Sequence, residues 1–276
     1  MKSRDIEDIE LELLLEAIFR RYGHDFRNYS KASVRRRVKN ILGRSKVGSI
    51  AGLIPSILHD EAFFEQNLGE FSITVSEMFR DPGFFRYLRS ELVPYLKTYP
   101  YVKIWHAGCA TGEEVYSTAI VLEEEGFYDR VTLFATDFNC RAINQAREGI
   151  YPLEKIREFT SNYQEAGGRR EFSDYYHARY GSAILEQSLR RNITFANHNL
   201  VTDGVFSEVQ LILCRNVLIY FNRTLQDRVL RLFSDSLTHG GFLALGSKES
   251  LQFSSVADSF VEVDRKWKIY QKKLPG

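Results

Sequence analysis

Up to about Ser72 the apolar positions recur at intervals of three and four, as in Ile9, Leu13, Leu14, Ala17 and Ile18, and no alternating stretch competes with them. The spacing predicts a small bundle of helices over residues 1–72. From about Val102 the texture changes to short runs of strand-forming character: Val102–Trp105, Val131–Ala135, Ile193–Ala196, Val209–Leu213 and Phe242–Leu245. Each run ends in a polar turn and leads into a longer helical stretch, the rhythm of a parallel sheet with crossover helices. The last two runs, Phe260–Val263 and Lys266–Gln271, lie too close together for a crossover, so they pair as an antiparallel hairpin and the sheet is mixed.

Punctuation supports this division. Asp81 followed by Pro82 has the form of an N-cap with proline at the first helical position, opening a helix through about Leu96. Asn139 is placed to cap a helix that Gly149 closes, and Gly240 with Gly241 is placed to close the helix that begins after Asn222. Between Gly167 and Arg191 the alternation of Phe172, Tyr175, His177 and Arg179, then Ile184 and Glu186, predicts an inserted antiparallel β-subdomain at about 168–192. No internal repeat is present.

Composition narrows the class. Lys plus Arg number 37 against 36 Asp plus Glu, so no global field draws the chain to nucleic acid or to a membrane surface. No apolar run reaches the roughly 18 residues of a membrane span, and the acidic Met1–Glu16 does not resemble a signal peptide, so a cytoplasmic protein without membrane insertion is expected. Three scattered cysteines, Cys109, Cys140 and Cys214, fit reduced thiols, and the six histidines show no metal-ligand spacing.

The chemistry gathers where strands end. The first strand runs into Ala107-Gly-Cys-Ala-Thr-Gly-Glu-Glu114, a glycine-bearing turn at the sheet edge where open α/β folds bind ligands. A phosphate would want a basic or neutral first helical turn, but Glu113 and Glu114 stand there, which suits a cationic ligand. The two adjacent acids are not separable by sequence. The second strand ends in Ala135-Thr-Asp137, whose carboxylate can accept hydrogen bonds from both hydroxyls of a ribose. A ribose, a positive centre and no phosphate together describe S-adenosylmethionine. Strands three and four end at Asn197-His-Asn-Leu200 and Cys214-Arg-Asn-Val-Leu-Ile-Tyr-Phe221, bringing Asn199, Leu200, Arg215, Asn216 and Tyr220 towards the same edge.

The ordered set Ser76-Glu-Met-Phe-Arg-Asp81, Ala110-Thr-Gly-Glu-Glu114, Ala135-Thr-Asp137, Asn199-Leu200 and Cys214–Phe221 resembles the chemotaxis receptor methyltransferases, the CheR family, over nearly the whole chain. The resemblance implies an α/β class I S-adenosylmethionine-dependent methyltransferase fold, Rossmann-like with a seven-stranded mixed sheet. It also implies a helical, receptor-facing N-terminal domain at 1–72 and a catalytic domain at 73–276 carrying the β-subdomain. It would place Thr74, Ser76, Arg80, Glu114, Asp137, Asn199, Leu200, Arg215 and Asn216 around the cofactor, with Arg80 and Tyr220 facing the transferring methyl group. The sequence departs from the commoner pattern at Thr74, where asparagine is usual, and at Glu77-Met78.

The reaction so implied is methylation of glutamate side chains of methyl-accepting chemotaxis receptors by a protein-glutamate O-methyltransferase, releasing S-adenosylhomocysteine. A glutamate carboxylate, with a pKa near 4.3, is already a nucleophile at neutral pH, so catalysis is chiefly positioning. Arg80 could orient that carboxylate or clamp the cofactor's own, and the Tyr220 hydroxyl could bond to the acceptor. Between Arg27 and Lys46 lie eight basic residues and no acidic one, and the run suits the acidic helices of a receptor, with Arg35, Arg36, Arg37 and Lys39 as the expected contacts. A monomer is expected. Two other readings stand beside this one: a methyltransferase acting on RNA or another protein, and a non-catalytic cofactor-sensing module. The first lacks the Asp/Asn-Pro-Pro-Tyr type of motif after the fourth strand, where Arg215-Asn-Val-Leu stands.

Overall fold

A computed structural model describes residues 3–71 and 76–275, with side chains from Asp5 onward. The chain divides into two compact units, one of residues 1–73 with 218–229 and one of 74–217 with 230–276.

The first unit holds α1 (Ser3–Tyr22), α2 (Lys31–Arg44), α3 (Leu53–His59) and α4 (Glu61–Phe71). Its core takes Leu11, Leu14, Leu15 and Ile18 from α1 together with Val34, Val38, Ile41, Ile57, Phe64 and Phe71. Ile9 and Leu13, expected inside, are 48% and 55% exposed. The reason is that α1 carries apolar residues on two opposite sides, and periodicity alone does not say which side meets the core. Around the α1–α2 pair runs a ladder of ion pairs. Asp8 meets Arg35, Glu7 meets Lys39 at 2.9 Å, Glu12 meets Lys31 at 2.7 Å, and Glu16 meets Arg27 at 3.0 Å. Rungs spaced about one turn apart along two antiparallel segments cancel much of the positive field of the basic run.

The second unit is built on a seven-stranded sheet of β1 (Val102–Ala107), β2 (Val131–Asp137), β6 (Ile193–Asn197), β7 (Val209–Cys214), β8 (Leu237–Leu245), β9 (Phe260–Asp264) and β10 (Ile269–Lys272). The order is β6-β2-β1-β7-β8-β10-β9. Strands β6 to β8 pair in parallel and β10 runs antiparallel to both its neighbours, the mixed sheet that the closing hairpin predicts. The long near-continuous apolar runs of β1 and β7 are buried on both faces, as crossover helices require. The crossover helices include α7 (Glu113–Glu124) between β1 and β2 and α8 (Cys140–Glu148) after β2, while α9 (Ile156–Glu165) leads into the inserted sheet and α10 (Arg223–Ser236) runs from β7 to β8, with only its residues from Leu230 onward in this unit.

Asn139 caps α8 by accepting from the N–H groups of Arg141 and Ala142, and Gly149 ends it at φ +60°, as the sequence predicts. Two other punctuation marks read differently in the structure. The stretch after Pro82 is helical through Leu96 but is broken into α5 (Pro82–Tyr87), a wider π turn at Leu88–Leu92 and α6 (Val93–Leu96). Asp81 is itself left-handed at φ +57° and makes no capping bond. Gly240 and Gly241 lie inside β8, since α10 already stops at Ser236. A Cβ at Gly241 would lie 2.9 Å from the Thr238 carbonyl oxygen, so close backbone approach within the strand, not helix termination, explains the residue.

The inserted sheet has three strands in the order β3-β5-β4: β3 (Ile150–Pro152), β4 (Tyr176–Arg179) and β5 (Ser182–Leu185). β3 falls outside the expected 168–192, because three residues ending in proline are too short to show alternation. The end of α9 and the segment between it and β4 are tied to α7 through Glu124, whose carboxylate accepts from the Tyr163 hydroxyl at 2.5 Å, the Tyr175 hydroxyl at 3.0 Å and the Arg169 N–H at 2.9 Å. Among the described residues, no helix is long and apolar enough to cross a membrane.

Candidate functional site

The carboxyl ends of β1, β2, β6 and β7 lie side by side, and the turns that follow them carry the polar residues singled out from the sequence. The turn after β1 needs three left-handed residues, Gly108 at φ +80°, Ala110 at φ +48° and Gly112 at φ +92°. A Cβ at Gly112 would lie 2.8 Å from that of Ala146, and one at Gly108 would lie 2.7 Å from a methyl of Val217, so both positions demand glycine for space as well as for φ. Gly108 and Cys109 donate their N–H groups to the Thr136 carbonyl, each at 2.8 Å, which sews the turn to the end of β2.

Asp137 completes that seam. One carboxylate oxygen accepts from the Ala110 N–H at 3.0 Å and the other from the Asn139 N–H at 2.9 Å. Burial pushes its pKa up, and the backbone N–H bonds oppose that shift without cancelling it. The anion is therefore oriented, desolvated and left with lone pairs to offer a ligand.

Arg215, 2% exposed in its side chain, is the hub of the site. Its guanidinium donates to Asp81 at 2.6 Å and to Glu114 at 2.9 Å, and it stacks 4.1 Å over the Phe84 ring. Glu114 also meets His106 Nδ1 at 3.4 Å. Desolvation acts to raise the pKa of Glu114, but the charge of Arg215 and the contact with His106 hold it below its ordinary value. Glu113 points elsewhere: 2% exposed, it accepts from the Thr111 hydroxyl at 2.6 Å, and its pKa is raised by burial. Of the two adjacent acids, Glu114 is the one that joins the Arg215 cluster. Asp81 was readable only as a helix cap from the sequence, because proline follows it. No local signal tells that its carboxylate turns to an arginine 134 positions away.

Arg80 stands between Phe79 at φ +53° and Asp81 at φ +57°, two left-handed residues that are not glycine. Each costs about 1–3 kcal/mol, strain that concentrates at functional loops. The loop is held by the Phe79 N–H on the Ser117 hydroxyl at 2.9 Å and by the Arg80 carbonyl, which accepts from Arg215 at 3.4 Å. Ser76 bonds to Glu113. Asn199 uses its side-chain oxygen in a turn, accepting from the Val201 N–H at 3.0 Å, and Leu200 is buried after it. Asn216 is left-handed at φ +62° directly after Arg215. Thr74 lies outside the described residues. Tyr220 belongs to the helical unit, where the Arg37 guanidinium lies 5.1 Å over its ring and the Ser30 N–H donates to its carbonyl at 2.7 Å.

The basic run is less available than its composition suggests. Arg27, Lys31, Arg35 and Lys39 are paired to acids of α1 or Asp25, and Arg44 to Glu70. Arg37 is 5% exposed and donates to the Phe71 carbonyl. Arg36 is exposed.

Residues 74–269 match the CheR methyltransferase SAM binding domain, and residues 9–72 match the CheR methyltransferase all-alpha domain. The chain belongs to the CheR methyltransferase family. A protein of Pseudomonas putida that carries the provisional name methyltransferase Cher3 is 52% identical over 272 residues, covering 99% of this chain and 100% of that one. A chemotaxis protein methyltransferase of Listeria innocua is 28% identical over 89% of this chain and 92% of its own. Among solved structures, the magnesium protoporphyrin IX methyltransferase of Synechocystis with bound SAM has a TM-score of 0.40 at 11% identity, covering 96% of this chain and 97% of that one.

Membership makes the protein an S-adenosylmethionine-dependent methyltransferase. The site fits that cofactor. The glycine turn lets a ligand approach the backbone, and the acids Asp81, Glu114 and Asp137 outnumber Arg215, as a sulfonium and an ammonium group require. The Arg215 Nε is buried and has no hydrogen-bond partner among the described residues, so the hub retains a donor.

Proposed function

We propose that this CheR-family enzyme transfers the methyl group to glutamate side chains on the acidic cytoplasmic helices of methyl-accepting chemotaxis receptors. The observation that carries the reading is Arg80, a permanent cation on a loop held left-handed on both sides of it and fastened to the Arg215 cluster. A carboxylate acceptor is charged at neutral pH and needs a cation to place it, not a base to activate it. Relatives in Listeria and Vibrio named chemotaxis protein methyltransferases support the choice of acceptor.

The cofactor supplies a methyl group on a sulfonium, an electrophile that leaves as a neutral thioether. The chain's residues bind and orient. Asp137 would accept the ribose hydroxyls, Glu114 and Asp81 would neutralise the ammonium end, and Asn199, Leu200, Asn216, Ser76 and Thr74 would line the remainder. Arg80 would hold the acceptor carboxylate against the methyl group. Burying Arg215 between two acids keeps a fixed charge pattern in a water-poor site, where it acts more strongly than in bulk solvent.

Incubation with radiolabelled S-adenosylmethionine and receptor-rich bacterial membranes tests the acceptor. Label on a receptor-sized band that alkali releases as volatile methanol is the expected result, since carboxyl methyl esters hydrolyse and N-methyl groups do not. Alkali-stable label would refute glutamate as the acceptor.

Of Arg35, Arg36, Arg37 and Lys39, Arg36 is the residue through which the helical unit would meet an acidic receptor helix, because the others are already engaged. Arg36→Glu should raise the KM for receptor roughly threefold at low salt, the size of one exposed charge contact, with the difference shrinking as salt is added. An unchanged KM would remove the helix from the recognition surface. Arg37→Glu should instead lower the melting temperature, since its guanidinium is buried on the Phe71 carbonyl.

A further inference from the structure

Beyond the strand ends, one buried acid has a geometry that serves the site without belonging to it. Glu249 follows β8, is 5% exposed, and is four residues past the last residue of that strand. A single oxygen of its carboxylate, Oε2, accepts from two backbone donors: the Asn216 N–H at 3.1 Å and the Gly246 N–H at 2.5 Å. Its own N–H returns to the Gly246 carbonyl at 2.9 Å, closing a tight loop of four residues. Gly246 is there because nothing larger fits. A Cβ on it would lie 2.8 Å from the Asn216 nitrogen and 2.7 Å from Glu249 Oε2.

These contacts converge on the turn after β7. Asn216 is left-handed at φ +62°, a conformation that a residue with a Cβ holds only when its surroundings fix it. Its N–H is the group through which the loop after β8 fixes it, and Arg215, the hub of the cluster, is the preceding residue. A charged acceptor makes the stronger kind of hydrogen bond, and its burial keeps water from competing.

We propose that Glu249 is a positioning residue for the cofactor site, holding the backbone of Asn216 so that Arg215 and Asn216 present their side chains to S-adenosylmethionine. This rests on the reading that those two residues line that site. Glu249 itself touches no reacting atom in this assignment. It acts through two N–H groups, and Gly246 through the space it leaves.

The test uses the full chain and S-adenosylhomocysteine as the probe, with calorimetric Kd, steady-state kinetics and melting temperature measured for each variant. Glu249→Ala should raise the Kd and the KM for S-adenosylmethionine about tenfold, the loss expected for a buried charge-assisted bond, while kcat changes little. Glu249→Gln keeps one acceptor oxygen and should recover most of that affinity. Gly246→Ala leaves the carboxylate in place but crowds the Asn216 nitrogen, so it too should weaken binding, and it serves if Glu249→Ala does not fold. Asn216→Gly and Arg215→Met report on the site itself. If they weaken binding while Glu249→Ala and Gly246→Ala bind within twofold of the parent and merely melt earlier, the positioning role is overturned. If Asn216→Gly and Arg215→Met bind normally, the site reading fails and takes the proposal with it.

Discussion

Arg215→Met should lower the melting temperature of the enzyme by about 6–12 °C at pH 7 and abolish measurable cofactor binding. The substitution keeps volume but leaves Asp81 and Glu114, both bonded to the same guanidinium, facing one another without a cation. Removing one partner of a buried ion pair costs about 3–5 kcal/mol, and Asp81, with a side chain 38% exposed, brings the figure to the lower end. For a unit of this size about 3 kcal/mol corresponds to that fall in melting temperature. The pH dependence gives a check of sign. Glu114 is held below its ordinary pKa of 4.5 in the folded chain, so its pairing stabilises the fold above that value and the contribution is lost as pH falls through the folded pKa. The gap between parent and variant should therefore be widest near neutrality and narrow as the pH is brought below about 4.5. A constant gap would mean that Arg215 stabilises through its stacking on Phe84 rather than through the acids.

Asp137→Ala should reduce S-adenosylhomocysteine affinity by at least about 100-fold and methyl transfer with it. A ribose bound through two hydroxyls to one half-buried carboxylate loses two charge-assisted bonds, each worth about 1.5–3 kcal/mol. In the parent enzyme the same carboxyl is raised above its ordinary 3.8 by desolvation. Cofactor affinity should therefore begin to fall at a higher pH than an exposed aspartate would dictate, because protonation removes acceptor capacity. The sign for stability is opposite. An acid with a raised folded pKa destabilises the fold while ionised, so acidification through that pKa relieves a folding cost even as it removes the binding group. Calorimetric titrations of S-adenosylhomocysteine between pH 7 and pH 4, paired with melting curves, separate the two effects. Affinity that stays flat across that range would exclude the Asp137 carboxylate as the ribose acceptor.

Much of this architecture is legible in the chain because its signals are local. The Asn139 cap and Gly149 stop, the apolar strands β1, β2 and β7, and the turn from Ala107 to Glu114 depend on neighbours within a few residues, and the structure shows each of them. The strand ends then bring Asp137, Arg215 and Asn216 to one edge by topology alone. Where local patterns admit two answers, the chain does not choose. Ile9 and Leu13 share α1 with Leu14 and Ile18, and only packing decides which pair is buried. Gly240 and Gly241 follow a helical stretch as a stop signal would, yet β8 claims them.

The alternation of the main strands and helices, the glycine turn, the acid after the second strand and the family motifs are all readable along the chain, since each is written within a short span. Which charges are used is settled by the folded chain. Asp81 is drawn to Arg215 rather than to its own helix, Glu114 rather than Glu113 joins that arginine, and the acids of α1 cancel a basic run that looks free in the sequence. Electrostatic partners are chosen across space and by burial, over separations of up to 134 residues, and that is information no local pattern carries.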